Sequence, residues 1–434
     1  MKKNTYNAIV SYVEIDNPNE GLLSGWDVAL KDNINMKDTK TTAGSKMLEN
    51  YTSIYNATVV DHLIAQGANI VAKTSMDEFG MGSYNFTALT GVVKNPHDVH
   101  RITGGSSGGS AALVAAKHVR MALGTDTGDS IRKPASYCGV VGLKPTYGLI
   151  SRYGVIPYAG SLDHVGVFTQ NVKDAALSLE VLSKKDPKDM TTHDIFKPYS
   201  ALLDMDLKGK KVGIFKNVID VITDEDVKTV FNNLVKTLER EGAIIVEKSI
   251  DQTLTHTLFP VYSIISNAEA ITHHANLDGV RFGLQVEGDT LEALMTNSRS
   301  AGFGLQVKER FIYGAYVLEN ENQFDIYDKA RKVRRLLVES YAEMLADVDV
   351  MIAPAATQIA PLMKDINHDP KTNDMYFAEN HMVIHNFSGY PSMNIPMGTS
   401  NEMPLGVNIS AKAFEDDVVL AFANQVEKLV EGEI

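Results

Sequence analysis

Cysteine is nearly absent: Cys138 is the only one in 434 residues. A lone cysteine excludes an internal disulfide and any all-cysteine metal site, and it suits a reducing compartment. Positive charge is in deficit too, with 41 Lys and Arg against 54 Asp and Glu and a net charge of −13. That balance argues against a nucleic-acid-binding surface spread over the whole chain, because neutralising phosphates takes a surplus of Lys and Arg. Long apolar runs are missing as well. The longest stretch without Asp, Glu, Lys or Arg, Asn380 to Asn401, contains His, Asn, Ser, Gly and two prolines and cannot span a bilayer. The start, MKKNTYNAIVSYVEIDN, carries Lys2 and Lys3 but no apolar segment of the kind a signal peptide needs. These absences predict a soluble cytoplasmic protein.

The composition that remains, 44% hydrophobic and 22% charged, is that of a globular chain and excludes a disordered, collagen-like or coiled-coil one. Helical and strand patterns alternate. Thr58 to Ala65 reads as a helix and Ile70-Val71-Ala72 as a buried strand. Gly209 to Phe215 reads as a strand, and Thr223 opens a helix with Asp226 at capping-box spacing. Gly242 ends that helix, and Ala243 to Val246 resumes as a strand. Val333 to Leu345 and about Asp416 to Leu429 close the pattern as helices, with Val350 to Ala353 a strand between them. The fold class expected is α/β, a mixed or mostly parallel sheet covered by helices. No repeat and no low-complexity linker divides residues 1–434, which read as a single domain. Residues 25–170 are rich in Gly and Ser, whereas residues 180–345 are charged and helical.

Three segments could carry chemistry: VALKDN around Lys31, TGGSSGGSAALVAA from Thr103, and GTDTGDSIRKP from Gly124. A lysine after an apolar triplet is usually a solvated charge, but at the end of a buried strand it is a candidate neutral base, since burial lowers its pKa. The GGSSGG run precedes a helix expected from Ala111 to His118, whose N-terminal amides could hold an anion. The same run matches G-x-S-x-G around Ser106 and Ser107, yet no strand precedes it at His97 to Arg101, so a nucleophile elbow is not expected. His381 and His385 have metal-ligand spacing without the glutamate of a zincin, and no P-loop string occurs; no metal site is expected. Cys138 reads as buried and inert.

Taken together, ALKDNI, GGSSGGSAA, GTDTGDSIRKPASYCGVVGLKPTYG and SLDHVGVFTQNVKDAA resemble the amidase signature family over nearly the whole chain. The resemblance implies one domain with a large mixed sheet between layers of helices, and a Ser-cisSer-Lys catalytic unit: Ser130 as nucleophile, Ser106 as bridging serine, Lys31 as base. Thr127, Gly128 and Asp129 would form the oxyanion loop. KTSMDEFGMGS, ISRYGVIPYAGSLD, KKDPKDMTT and NLDGVRFG further resemble the glutamine-hydrolysing branch of that family, whose members serve tRNA-dependent amidotransferases. That branch implies glutamine as substrate, with Tyr262, Arg310 and Glu415 in its pocket. It also implies a B-type partner subunit that uses ATP and Mg²⁺ on Glu-tRNA(Gln), and a small C-type subunit, with no cofactor in this chain.

The chain departs from the family pattern at Asp129, where a glycine is usual. An inward carboxylate would repel a developing oxyanion, so Asp129 is expected to turn from Ser130 towards solvent or a cation such as Arg132 or Lys133. Three readings stay open: a glutaminase subunit, a free-standing amidase on another small amide, and a catalytically inactive structural subunit.

Overall fold

Short apolar runs pair into one 11-stranded sheet in the computed structural model, which describes residues 4–13, 17–366 and 372–432. Lys2 and Lys3 lie outside the described residues. The strands are β1 (Ile9–Tyr12), β2 (Asp27–Lys31), β3 (Asn69–Thr74), β4 (Met121–Asp126), β5 (Val141–Lys144), β6 (His164–Thr169), β7 (Lys211–Phe215), β8 (Ile244–Lys248), β9 (Val350–Pro354), β10 (Ser392–Ser400) and β11 (Met403–Ser410). Their order across the sheet is β1-β3-β2-β4-β6-β5-β10-β11-β9-β7-β8. β2 runs parallel to β3 and β4, and β7 parallel to β8 and β9; the other neighbours are antiparallel. The sheet is therefore mixed, as the alternation predicts.

Both faces of the sheet are covered, and the period-two alternation of each strand divides its residues between two cores. Val28 and Leu30 of β2, Met121 and Leu123 of β4 and Val167 of β6 join the larger core. Ala29, Ala122 and Phe168 from the same strands join the smaller one beneath the helix Gly108–Ala115. Small residues on that side let the helix approach the sheet closely: a Cβ at Gly109 would lie 2.5 Å from the Ser75 carbonyl oxygen.

The expected helix after β7 forms as Glu225–Arg240, but its cap is Asp224 rather than Thr223. The Asp224 carboxylate reaches the amides of Asp226 and Val227, at 3.0 and 3.3 Å, which Thr223, one residue earlier and exposed, does not. Among the described residues no helix is long and apolar enough to cross a membrane.

The parallel trio β3-β2-β4 is what places the site. Ligands of open α/β sheets gather beyond the carboxyl ends of parallel strands, where chain segments leave the sheet together. Here β2 ends at Lys31, register-paired with Thr74 at the end of β3, and β4 ends at Asp126. Facing this edge are the antiparallel helices Leu258–His273 and Leu305–Leu318. They meet at Gly314, where an added Cβ would lie 2.2 Å from the Asn267 carbonyl oxygen.

Alanine is the better helix former by about 1 kcal/mol, yet Gly314→Ala is expected to destabilise the fold. Overpacking of that kind costs roughly 1–3 kcal/mol, so the denaturant midpoint should fall with m unchanged. A rise in midpoint would show that the two helices do not touch there.

Candidate active site

Lys31 is fully buried at the end of β2. Its Nζ lies 2.7 Å from Oγ of Ser106, 2.7 Å from Oγ of Ser107 and 3.2 Å from the carbonyl oxygen of Thr125. The Ser107 hydroxyl donates to that same carbonyl at 3.1 Å, so its oxygen is left to accept from the lysine. A neutral amine has two N–H donors and one lone pair. In the neutral form, donation to Ser107 and Thr125 leaves the lone pair for Ser106, whereas the ammonium form donates to all three. Burial lowers the Lys31 pKa to about 7, against the opposing pull of Asp77, Asp126 and Asp163.

Ser106 is brought to the lysine by a cis peptide bond with Gly105. Asp77, just beyond β3, holds this segment: its amide donates to the Ser106 carbonyl at 3.2 Å. Its carboxylate accepts from the amides of Asn85 and Thr87 and from the Thr87 hydroxyl. A Cβ at residue 105 would sit 2.1 Å from Asp77 Oδ2, so only glycine fits there. At the start of the helix that follows, the Gly108 amide donates to Asn85 Oδ1 and the Gly109 amide to the Ser75 carbonyl, so two of the N-terminal donors are already satisfied.

Ser130 lies in the loop between β4 and the helix Arg132–Cys138, 95% buried, and among the described residues its hydroxyl has no hydrogen-bond partner. The loop is braced from behind. Asp126 accepts from the Ile131 amide at 2.9 Å and from both Nε and Nη2 of the fully buried Arg132, which in turn donates to the Gly128 carbonyl at 2.7 Å. Burial works against the Asp126 charge, but Arg132 more than offsets it and holds the carboxyl well below its usual range. Thr127 donates from its hydroxyl to the buried Asp163, at 2.6 Å. With the Ile131 amide taken, the amides of Gly128, Asp129 and Ser130 have no acceptor among the described residues, and free N–H groups in one short loop are the donors an oxyanion needs.

Asp129 turns towards a cation, and the cation is Lys133: the two groups are 2.5 Å apart and both nearly buried. Arg132, the other candidate, is committed to Asp126. Lys133 also donates to the Glu379 carbonyl at 2.9 Å. The backbone at Asp129 is not in the left-handed region, so no glycine is required there.

Tyr262 and Arg310 come together on the two facing helices. The Tyr262 hydroxyl lies against Gly128, where an added Cβ would be 3.2 Å from it. Arg310 donates to the Tyr158 hydroxyl at 2.7 Å, and Tyr158 stands over a cavity of about 290 Å³ whose wall includes Gly80, Thr125, Thr127 and Asp163. Glu415 is a correction. Its carboxylate accepts from the Lys412 amide at 3.2 Å, just before the helix Asp416–Gly432, and it shares no hydrogen bond or ion pair with Tyr262 or Arg310. The adjoining Asp416 is consumed by the amide and hydroxyl of Thr146. The half-buried Glu379 lies near Lys133 of the loop, its carboxyl raised by burial against the pull of that ammonium.

Asp77, Tyr158 and Glu379 were not singled out by sequence, and Ser107 drew notice only as part of an elbow that does not form. Asp77 and Tyr158 do fall inside the strings KTSMDEFGMGS and ISRYGVIPYAGSLD, so the signal for them was present.

The chain is similar to known proteins over most of its length. Residues 6–420 match the family described as Amidase. The A-type subunit of glutamyl-tRNA(Gln) amidotransferase from Sulfurihydrogenibium sp. (strain YO3AOP1) is 41% identical over 409 residues, 94% of this chain and 84% of that one. The protein of the same name from Koribacter versatilis (strain Ellin345) is 43% identical, with 93% and 84% covered. The crystal structure of the corresponding A-type subunit from Thermotoga maritima superposes with a TM-score of 0.82 at 34% identity, covering 98% of this chain and 87% of that one.

A neutral Lys31 has a direct signature. In protein carrying ¹³C-labelled lysine, the Lys31 side-chain resonance should titrate near pH 7, charged below and neutral above, rather than near the ordinary 10.5. Titration above pH 10 would mean that an undetected carboxylate pairs with it.

Proposed function

Because the chain belongs to the amidase family, we propose that it is the glutaminase subunit of a tRNA-dependent amidotransferase, hydrolysing glutamine and passing the ammonia to a partner subunit. The observation that carries this reading is the fully buried Lys31 Nζ, 2.7 Å from Ser106 Oγ, with burial lowering its pKa to about 7. The names of the relatives supply the substrate and the complex.

In this reading Lys31 takes the Ser106 proton as Ser106 takes the Ser130 proton, and Ser130 Oγ attacks the side-chain carbonyl carbon of glutamine. The carbonyl oxygen gathers charge against the amides of Gly128, Asp129 and Ser130, an interaction commonly worth about 3 kcal/mol per donor. As the C–N bond breaks, the proton returns through Ser106 to the leaving nitrogen, which departs as ammonia. Water then cleaves the glutamyl ester on Ser130, with the same relay as its base, and releases glutamate. Arg310 holds the α-carboxylate and Tyr262 the body of the substrate, while Glu379 takes the place intended for Glu415 as the acid for the α-ammonium group. Pairing of Asp129 with Lys133 keeps its charge from opposing the oxyanion, which favours an active subunit over an inactive scaffold.

ATP- and Mg²⁺-dependent activation of Glu-tRNA(Gln) is assigned to a B-type partner, assisted by a small C-type subunit, and the whole complex to the cytosol.

Ser130→Ala should abolish ammonia release from glutamine in a folded protein. Ser106→Ala and Lys31→Ala should each be nearly as severe, and the double variants no worse, because the three act as one relay. Additive losses, or substantial turnover by folded Ser130→Ala, would remove Ser130 from the nucleophile role.

Arg310→Lys should raise KM for glutamine by roughly tenfold or more with a smaller change in kcat, since an ammonium cannot reproduce the guanidinium fork. An unchanged KM would place the α-carboxylate elsewhere.

A further inference from the structure

The helix Leu305–Leu318 has two faces of different character. Inward it buries Val307, Phe311, Gly314 and Val317 and directs Arg310 to Tyr158. Outward it exposes Leu305, Ile312 and Tyr316, at 74%, 71% and 51%. Spacings of seven and eleven residues from Leu305 put all three on one stripe, about three turns of helix long. Phe324, 75% exposed, continues the apolar surface in the short segment Gln323–Asp328 that packs against this helix. Single exposed apolar residues are ordinary, but three on one helix face, with Phe324 on the segment packed beside it, mark an interaction surface.

Charge on the stripe says what covers it. Glu309 lies within it, four residues from Leu305, and Glu319 and Glu321 lie just past its end. None of the three has an ion-pair partner among the described residues, whereas the neighbouring Lys308 ammonium is taken by the Ser300 carbonyl. A second copy of this chain fits poorly. Antiparallel self-pairing would set each Glu309 against the other copy's Ile312, and parallel pairing would set Glu309 on Glu309, beside a Lys308 ammonium that the Ser300 carbonyl already holds.

We infer that this stripe is the docking surface for an amphipathic helix of the ammonia-accepting partner subunit, one that lays an apolar seam along Leu305, Ile312 and Tyr316 and sets a Lys or Arg against Glu309. The inference rests on the amidotransferase reading above. It also ties assembly to catalysis, because the docked helix would bear on the element that carries Arg310.

The test uses the full chain and its purified cognate amidotransferase subunits, mixed in a calorimeter. Ile312→Glu combined with Tyr316→Glu should weaken association by roughly 30-fold or more, with the isolated chain's own glutamine turnover equal to the parent's. A second measurement does not depend on that variant. Cys138 is buried, so Ile312→Cys introduces a single accessible thiol, and its maleimide labelling should slow at least tenfold when the partner is bound. Parent-like affinity in the double variant, or a labelling rate that the bound partner leaves unchanged, would overturn the docking surface alone. A parent homodimer dissolved by the double substitution would overturn it in favour of a second copy. Failure of the parent itself to associate with the subunits would instead overturn the amidotransferase reading, and this surface with it.

Discussion

The structure depends on keeping water and free carboxylates away from one amine. Lys31 ends a strand whose two neighbours run parallel to it, so its Nζ emerges among serine hydroxyls and a backbone carbonyl rather than in solvent. Three buried acids feel its charge, and any one of them left free would pair with it and keep it protonated. Each is occupied elsewhere: Asp77 by the amides of Asn85 and Thr87, Asp126 by Arg132 and the Ile131 amide, Asp163 by Thr127, Tyr158 and Ala159. The adjacent strand shows the alternative. Lys73 is equally buried, but it sits 3.1 Å from Asp32 in an ion pair. Two lysines on neighbouring strands thus differ in chemistry because only one has a carboxylate within reach.

The same occupied acids build the machinery around the amine. Asp126 and Arg132 form a fully buried pair at 2.9 Å, and Arg132 also donates to the Met382 carbonyl and to Asn386. Asn386 returns a bond to Asp126. A short loop near residue 130 is thereby fastened to a segment more than 250 positions later in the chain. Breaking such a pair leaves an uncompensated buried charge, at a cost of about 3–5 kcal/mol. The pair also fixes the loop: Asp126 holds the Ile131 amide and Arg132 the Gly128 carbonyl on either side of Ser130. The pairing of Asp129 with Lys133 follows the same logic, neutralising in place a charge that would otherwise face an oxyanion.

Much of this was legible before any coordinates. Alternation of apolar runs placed β3, β7, β9 and the helices Thr58–Ala65 and Lys329–Leu345 because burial on a covered sheet demands those patterns. Lys31, Ser106 and Ser130 stood out through strings that resemble a known family, not through any property of a lone serine or lysine. The misreadings share a cause. Asp224 displaced Thr223 as a cap, and the Glu415 carboxylate turned back to the Lys412 amide, each because the deciding partner is set by exact local geometry.

The amino-acid sequence by itself determined the class of fold, through the periodicity of its apolar residues, and the inventory of groups available: one cysteine, a lysine closing an apolar strand, two serines in glycine-rich loops. Tertiary structure alone decided what those groups are. The Lys31 pKa falls because burial removes the water that would solvate its charge, and burial belongs to the three packed strands rather than to residue 31. Arg310 and Tyr262 share a site because Gly314 lets two helices touch, and the pattern of either helix alone carries no record of that contact.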